Sequence, residues 1–134
     1  MEMLEEVVCT SFNFFMLYDL EKMYRSISSG FAYDDDMPIP SKIINWLMEA
    51  NLVGSVIHSN AACSEYTLVD KDTVEKFHKR NMKVGCFTLY PLMPGEMPEE
   101  KKVFYSKEVK RLAELGVDWI ETDQPELVWA DLHA

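Results

Sequence analysis

Apolar positions along the chain switch between two periods. Val7-Val8-Cys9-Thr10-Ser11-Phe12 is a short continuous run of the buried-strand kind. After it, Phe14, Leu17, Leu20, Tyr24 and Ile27 recur at helical spacing. Ser29-Gly30 breaks that pattern, and Phe31-Ala32-Tyr33 reads as a second short strand running into Asp34-Asp35-Asp36. Pro38 and Pro40 punctuate the next loop, before a helical stripe of Ile43, Leu47 and Ala50. Gly54 precedes a third strand, Ser55-Val56-Ile57-His58, with a polar loop behind it. Asp70 is placed to cap a third helix carrying Val74 and Phe77. Asn81 can end that helix, because Asn tolerates the left-handed conformation. Lys83-Val84-Gly85-Cys86-Phe87-Thr88-Leu89 is the fourth strand, and residues 91–104 read as a long loop. Ser106 starts a helix bearing Val109, Leu112 and Ala113, stopped by Gly116. Val117-Asp118-Trp119-Ile120-Glu121 is the fifth strand, and Pro125 opens a short terminal helix through Trp129.

Continuous apolar strands joined by helices mean a parallel sheet covered by helices, so the fold class is α/β. Two architectures fit this alternation: an open doubly wound sheet, or part of a (β/α)8 barrel. Periodicity does not choose between them. At 134 residues the chain has the size of one ordinary domain.

Charge narrows the partners. The 23 acidic and 13 basic side chains leave a net charge of −10, which repels a phosphate backbone, so no nucleic-acid partner is expected. No apolar run approaches the ~20 residues of a membrane span. Met1-Glu2-Met3-Leu4-Glu5-Glu6 has no basic stretch ahead of an apolar one, so no signal peptide is expected. Cys9, Cys63 and Cys86 are odd in number and form no CxxC pair. They are expected to be reduced, buried thiols of a cytoplasmic protein.

In either architecture, function sits where strands hand over to helices. Those positions are Ser11-Phe12-Asn13, Asp34-Asp35-Asp36, His58-Ser59-Asn60, Thr88-Leu89-Tyr90 and Thr122-Asp123. GxGxxG, P-loop, GxSxG and HExxH signatures are all missing. Three consecutive aspartates suit a hard cation chemically, but adjacent side chains of an extended segment point to opposite sides, which favours a solvated turn. His58 has the pKa range of a general acid or base, or serves as a hydrogen-bonded loop residue. His78 and His133 read as surface residues. Ser11, His58 and Asp123 supply the residue types of a triad without its local spacing. The 91–104 loop reads as a lid, a binding loop or a flexible insertion.

The C-terminal third carries a more specific signal. Lys83-Val84 and Phe87-Thr88-Leu89 are followed by Leu115-Gly116-Val117-Asp118-Trp119-Ile120-Glu121-Thr122-Asp123-Gln124-Pro125. This resembles the last two βα units of the glycerophosphodiester phosphodiesterase family, with its Trp-Thr-Val-Asn strand end and its Gly-Val-Asp…Thr-Asp-x-Pro ending. Val7–Phe12 looks like the family's fourth strand, which commonly ends in Ser-Phe. Gly30–Tyr33 fits its fifth strand and Ser55–His58 its sixth.

The resemblance implies a partial (β/α)8 barrel of five βα units, with residues 1–134 forming the C-terminal part of the domain. The family's activity is metal-dependent hydrolysis of a glycerophosphodiester, in lipid metabolism. Its members carry His-Arg-Gly on the first strand, Glu-x-Asp after the second, then a second histidine and a further glutamate. No position of this sequence matches these, so the resemblance implies no catalytic residue and no metal ligand in this chain. The divalent cation, Mg²⁺ or Ca²⁺, belongs to the complete enzyme and is not expected for this chain alone. Phe87 stands in place of the family's tryptophan and Tyr90 in place of its asparagine, while Thr88 and Asp123 are kept. His58, Phe87, Thr88 and Tyr90 are the expected substrate contacts. The chain is expected to be inactive alone, and to self-associate or meet a complementing chain. It would otherwise be a non-catalytic interaction module or half of a split enzyme.

Overall fold

The computed structural model describes residues 7–49 and 61–134. Five strands, β1 (Val8–Ser11), β2 (Ser28–Tyr33), β3 (Ala61–Glu65), β4 (Lys83–Leu89) and β5 (Trp119–Thr122), form one sheet. The helices are α1 (Phe14–Met23), α2 (Ser41–Glu49), α3 (Lys71–Lys79), α4 (Glu99–Leu115) and α5 (Pro125–Leu132). Every strand pairing is parallel, and the order across the sheet is the order along the chain.

That order settles the architecture. Right-handed crossovers that always advance in one direction put every connecting helix on the same face of the sheet, whereas a doubly wound sheet reverses direction. Phe31, Tyr33, Ala62, Val84, Cys86 and Leu89 point to the helical face. There they join one core with Leu17 of α1, Ile44 and Met48 of α2, Phe77 of α3, Leu112 of α4 and Val128 of α5. The opposite face curls inward. Val8 and Thr10 on β1 share a cavity of about 380 Å³ with Trp119 and Glu121 on β5, although the two strands are opposite edges of the sheet. The fold is an α/β half-barrel with its helices outside.

Local chemistry explains the helix ends. Asn13 Oδ1 accepts from the Phe15 and Met16 amides at the start of α1, at 3.0 and 3.3 Å. Asp70 Oδ1 accepts from the Thr73 amide at 2.8 Å, as its N-cap position predicts. Asn81 takes φ 57 after α3, and Gly116 takes φ 82 after α4. Arg111 of α4 reaches across to the β3–α3 connection, donating to the carbonyls of Val69 at 2.8 Å and Tyr66 at 3.1 Å.

Several sequence expectations are corrected. Residues 61–65, read as polar loop, form β3 in the middle of the sheet, because Ala61, Ala62, Cys63 and Ser64 are buried despite lacking β-branched side chains. The expected third strand, Ser55–His58, lies outside the described residues. Ser29-Gly30 does not end a helix; both residues lie in β2, where the buried Ser29 hydroxyl donates to Glu21 of α1. The inward stripe of α2 is Ser41, Ile44 and Met48 rather than Ile43 and Leu47; Ile43 is exposed, and Ala50 lies outside the described residues. Helix α4 begins at Glu99, so the expected 91–104 loop ends at Pro98. Its charged first turn reads as solvated chain, yet Glu99 and Glu100 suit the positive end of the helix dipole.

Candidate functional site at the C-terminal strand ends

The C-terminal ends of β4 and β5 enclose a cavity of about 470 Å³ lined by Phe87, Thr88, Leu89, Pro91, Glu121, Thr122 and Asp123. A bulge between Cys86 and Leu89 shapes its wall, shifting the register of β4 against β5. Beyond it the backbone takes two left-handed conformations, φ 72 at Thr88 and φ 49 at Tyr90. For a β-branched residue such as Thr88 this is costly, of order 1–3 kcal/mol, and it persists only where neighbours hold it.

The Thr122-Asp123-Gln124 segment supplies that hold. Thr122 Oγ1 donates to the Leu89 carbonyl at 2.6 Å and accepts the Gln124 amide at 3.1 Å. Asp123 Oδ2 accepts the Leu92 amide at 3.0 Å, and Gln124 Nε2 donates to the Tyr90 carbonyl at 3.1 Å. Asp123 therefore shapes the β4–α4 loop, and the Thr-Asp-x-Pro string works as a clamp on the cavity wall.

Of the expected substrate contacts, Phe87 and Thr88 line this cavity. The Phe87 ring packs edge-on against Phe12, from the end of β1, at 5.5 Å between centroids. Tyr90 turns the other way, into the helical layer, and is buried. Its hydroxyl donates to Asp131 of α5 at 2.5 Å, and Ser106 of α4 donates to the same carboxylate at 2.7 Å. Burial is the main reason the Tyr90 phenol is pushed up from its ordinary pKa, with the bond to Asp131 second. His58 lies outside the described residues.

The remaining sequence candidates do not converge. Ser11 Oγ accepts the Asn13 amide at 3.0 Å and serves the α1 cap. Asp34 Oδ1 accepts the Asp36 amide at 2.9 Å, and Asp35 accepts from the Ser41 hydroxyl at the start of α2, so the triple aspartate is a hydrogen-bonded turn. His78 is more than a surface residue, because its Nε2 lies 2.9 Å from Asp118 Oδ2. That pair sits at the N-terminal ends of β4 and β5, away from the cavity. His133 stays in the tail, stacked on Trp129.

Sequence reasoning missed two acidic groups. Glu65 ends β3, and its carboxyl is pushed up by burial first and then by Asp34, Asp35 and Asp36. Glu121 lies on the inner face, where its Oε1 accepts from Trp119 Nε1 at 3.0 Å and from the Cys63 thiol at 3.4 Å. Period-2 alternation from Trp119 was the available signal for Glu121; nothing marked Glu65 once β3 was read as loop. Among the described residues, no three His, Cys, Asp or Glu side chains are grouped to hold a metal ion. Glu121 Oε1 and Asp123 Oδ2 each accept hydrogen bonds from protein donors.

The same half-barrel occurs in larger solved structures. A crystal structure from Silicibacter pomeroyi, assigned as a glycerophosphoryl diester phosphodiesterase, matches with a TM-score of 0.67 at 17% identity. The match covers 98% of this chain and 39% of that chain. One from Galdieria sulphuraria, assigned as a glycerophosphodiester phosphodiesterase, matches at 0.64 and 19% identity, over 98% of this chain and 46% of that chain. A phosphodiesterase of Oleispira antarctica, solved with its product sn-glycerol-3-phosphate, matches at 0.66 and 17% identity. Here the coverage is 95% of this chain and 42% of that chain. The chain thus shares the fold of these structures while spanning less than half the length of each. No protein-family model matches it, and no curated protein matches it by sequence. No helix among the described residues is long and apolar enough to cross a membrane.

Proposed function

We propose that the chain is the C-terminal portion of a glycerophosphodiester phosphodiesterase-type barrel and that it does not hydrolyse phosphodiesters alone. The observation that carries this is the cavity at the C-terminal ends of β4 and β5, held by the Thr122-Asp123-Gln124 clamp on a sheet of sequential parallel order. In barrels of this architecture the active site is built at that end. The fold likeness to structures that include a phosphodiesterase solved with sn-glycerol-3-phosphate supports a glycerophosphodiester as the parent substrate.

In this reading Phe87 and Thr88 are the cavity's substrate contacts, and His58 is a further contact proposed from the sequence. Tyr90 serves indirectly, fixing α4 and α5 against the back of the β4 loop. Cleaving the P–O ester adds water across it, which needs charge neutralisation, an activated nucleophile and a proton for the leaving oxygen. Among the described residues, the cavity lining offers two hydroxyls, two carboxylates and an aromatic ring, with no lysine, arginine or histidine. The missing functions are assigned to the other half of a barrel, together with the divalent cation. Among the described residues no strand pairs with the outer edge of β1 or β5, which favours a second element of the reading, that the chain associates with copies of itself or with a complementing chain. Reduced thiols fit a cytoplasmic protein.

The test is purified chain with glycerophosphocholine and millimolar Mg²⁺ or Ca²⁺, followed by release of glycerol phosphate. No turnover above the metal-only blank is expected. Metal-dependent turnover that His58→Ala abolishes would overturn the reading and make His58 catalytic.

A further inference from the structure

The inner face of the half-barrel has an occupant of its own. Its floor is built from small residues on the middle strands: Gly30 and Ala32 of β2, Ala61 and Cys63 of β3, and Gly85 of β4. All five are buried. A complete barrel fills this space with layers of side chains from alternate strands around the whole ring. Here the Trp119 indole, from the edge strand β5, lies against Gly85. A Cβ placed on Gly85 would meet Trp119 Cε2 at 2.1 Å, Cζ2 at 2.3 Å and Nε1 at 2.6 Å. Those approaches are far inside van der Waals contact, so the indole sits where only a glycine leaves room. Gly85 pairs with Trp119 across the β4–β5 ladder, which fixes the ring opposite the gap. Its one polar atom is satisfied, since Nε1 donates to Glu121 Oε1 at 3.0 Å and the Cys63 thiol donates to the same oxygen. The Phe12–Phe87 pair lies nearer the C-terminal end.

We propose that Trp119 is an internal plug of the Gly85 notch: its indole covers that part of the inner face, and side chains of a second barrel half can fill the notch only after the indole leaves. This deepens the proposed function by giving the isolated chain a self-filled notch, and it concerns folding and packing rather than turnover. The plug also separates two kinds of association. Edge pairing at β1 and β5 does not depend on the indole, while filling of the Gly85 notch does.

Two measurements test it without reading activity, so their failure leaves the phosphodiesterase reading standing. The first is a variant with Trp46→Phe and Trp129→Phe, both exposed in the parent, leaving Trp119 as the sole tryptophan. Its emission should be blue-shifted from free indole and poorly quenched by acrylamide; water-like, fully quenched emission overturns the plug. The second is a double-mutant cycle of Gly85→Ala with Trp119→Gly, read as the urea midpoint. Gly85→Ala should lower the midpoint clearly when the indole is present and little when it is gone, whereas additive effects overturn the proposal. Where Trp119→Gly is too unstable to measure directly, added indole should restore a cooperative transition by binding the vacated notch. Failure of indole to restore it counts against the plug.

Discussion

Asp118 offers a sharp test of how the half-barrel is held at the end opposite its cavity. Its Oδ2 accepts the Val84 amide at 2.7 Å and lies 2.9 Å from His78 Nε2, while its own amide donates to the Val84 carbonyl at 2.7 Å. One carboxylate therefore joins the start of β4, the lead into β5 and helix α3. The two side-chain interactions are unequal. The histidine contact is partly solvated, with side-chain exposures of 40% for His78 and 32% for Asp118, so it ranks with surface pairs at ~0.2–1 kcal/mol. Val84 is 1% exposed, and a buried amide left without an acceptor costs about 1–3 kcal/mol.

Asp118→Ala should thus cost about 1–4 kcal/mol, the sum of both losses. Asp118→Asn keeps an acceptor for Val84 and should cost roughly 1 kcal/mol, the charge contribution alone. His78→Ala should cost less than about 1 kcal/mol. Urea unfolding followed by circular dichroism at neutral pH measures all three, with the slope checked for constancy. If Asp118→Ala unfolds within 0.5 kcal/mol of the parent, roughly the scatter of surface substitutions, the amide is not dependent on this carboxylate. If His78→Ala equals Asp118→Ala, the histidine contact rather than the backbone bond is the larger contributor, and the ranking is wrong.

The thiols should react in an order set by burial. Cys9, half-buried on the edge strand, should alkylate in native buffer, while the buried Cys63 and Cys86 should wait for denaturant; mass spectrometry of partial labelling checks this. Burial pushes the Cys86 thiol up to about 12 and raises that of Cys63 as well, which keeps thiolate scarce even at mildly alkaline pH. Glu65→Gln should stabilise the chain at neutral pH by less than about 1 kcal/mol after solvent screening. The folded-state pKa of Glu65 is raised, so the native state holds its proton longer than the unfolded chain and stability falls as pH rises through that window. The gain from Gln should therefore fade as pH drops below the ordinary carboxylate range, and a gain that grows at low pH would reverse the sign of the argument. Light scattering should show mass above that of one chain at high protein concentration, through pairing at the β1 and β5 edges, and a sharp monomer at all concentrations would refute edge pairing.

What the sequence made legible was whatever large apolar residues or capping residues announced. β4, with Val84, Cys86 and Leu89, was plain, as were the Asp70 cap, the Asn81 and Gly116 stops and the Pro125 helix start. β3 was not, because Ala61-Ala62-Cys63-Ser64 has the composition of a loop. Its small side chains answer to the curvature of the sheet, where the interior is too narrow for larger ones beside Trp119, and curvature is a tertiary property. Ser29 and Gly30 were misread for the same reason. The C-terminal strand ends were legible as positions, yet the side chains there divided in a way no pattern shows. A bulge in β4 and a left-handed Tyr90 send Phe87 and Thr88 to the cavity and the phenol to the helices. Asp123 was visible, but its partner, the Leu92 amide, depends on a loop shape that only the fold defines.

Under the proposed function, the charge at the cavity end leaves these five barrel units short of what phosphodiester hydrolysis needs. The strand ends described carry Asp34, Asp35, Asp36 and Glu65 beside one another in the β2–β3 region, and Glu121 and Asp123 in the cavity itself. The Glu65 carboxyl is pushed up by burial first and then by repulsion from Asp34, Asp35 and Asp36. A phosphodiester carries a negative charge that grows on the transferring oxygens in the transition state, so placing it here without a cation adds like charge to like. Hydroxyls such as Thr88 can donate a hydrogen bond to such an anion but cannot neutralise it. Stabilisation of this kind comes from fixed positive groups aimed at the developing charge, and losing a single donor can cost 10²–10³ in rate. The described residues supply the wall and the polar lip, and the neutralising charge has to enter from outside them. Activity in a completed barrel would then scale with what the added half brings, and substitution of Thr88 would modulate that activity rather than create or abolish it.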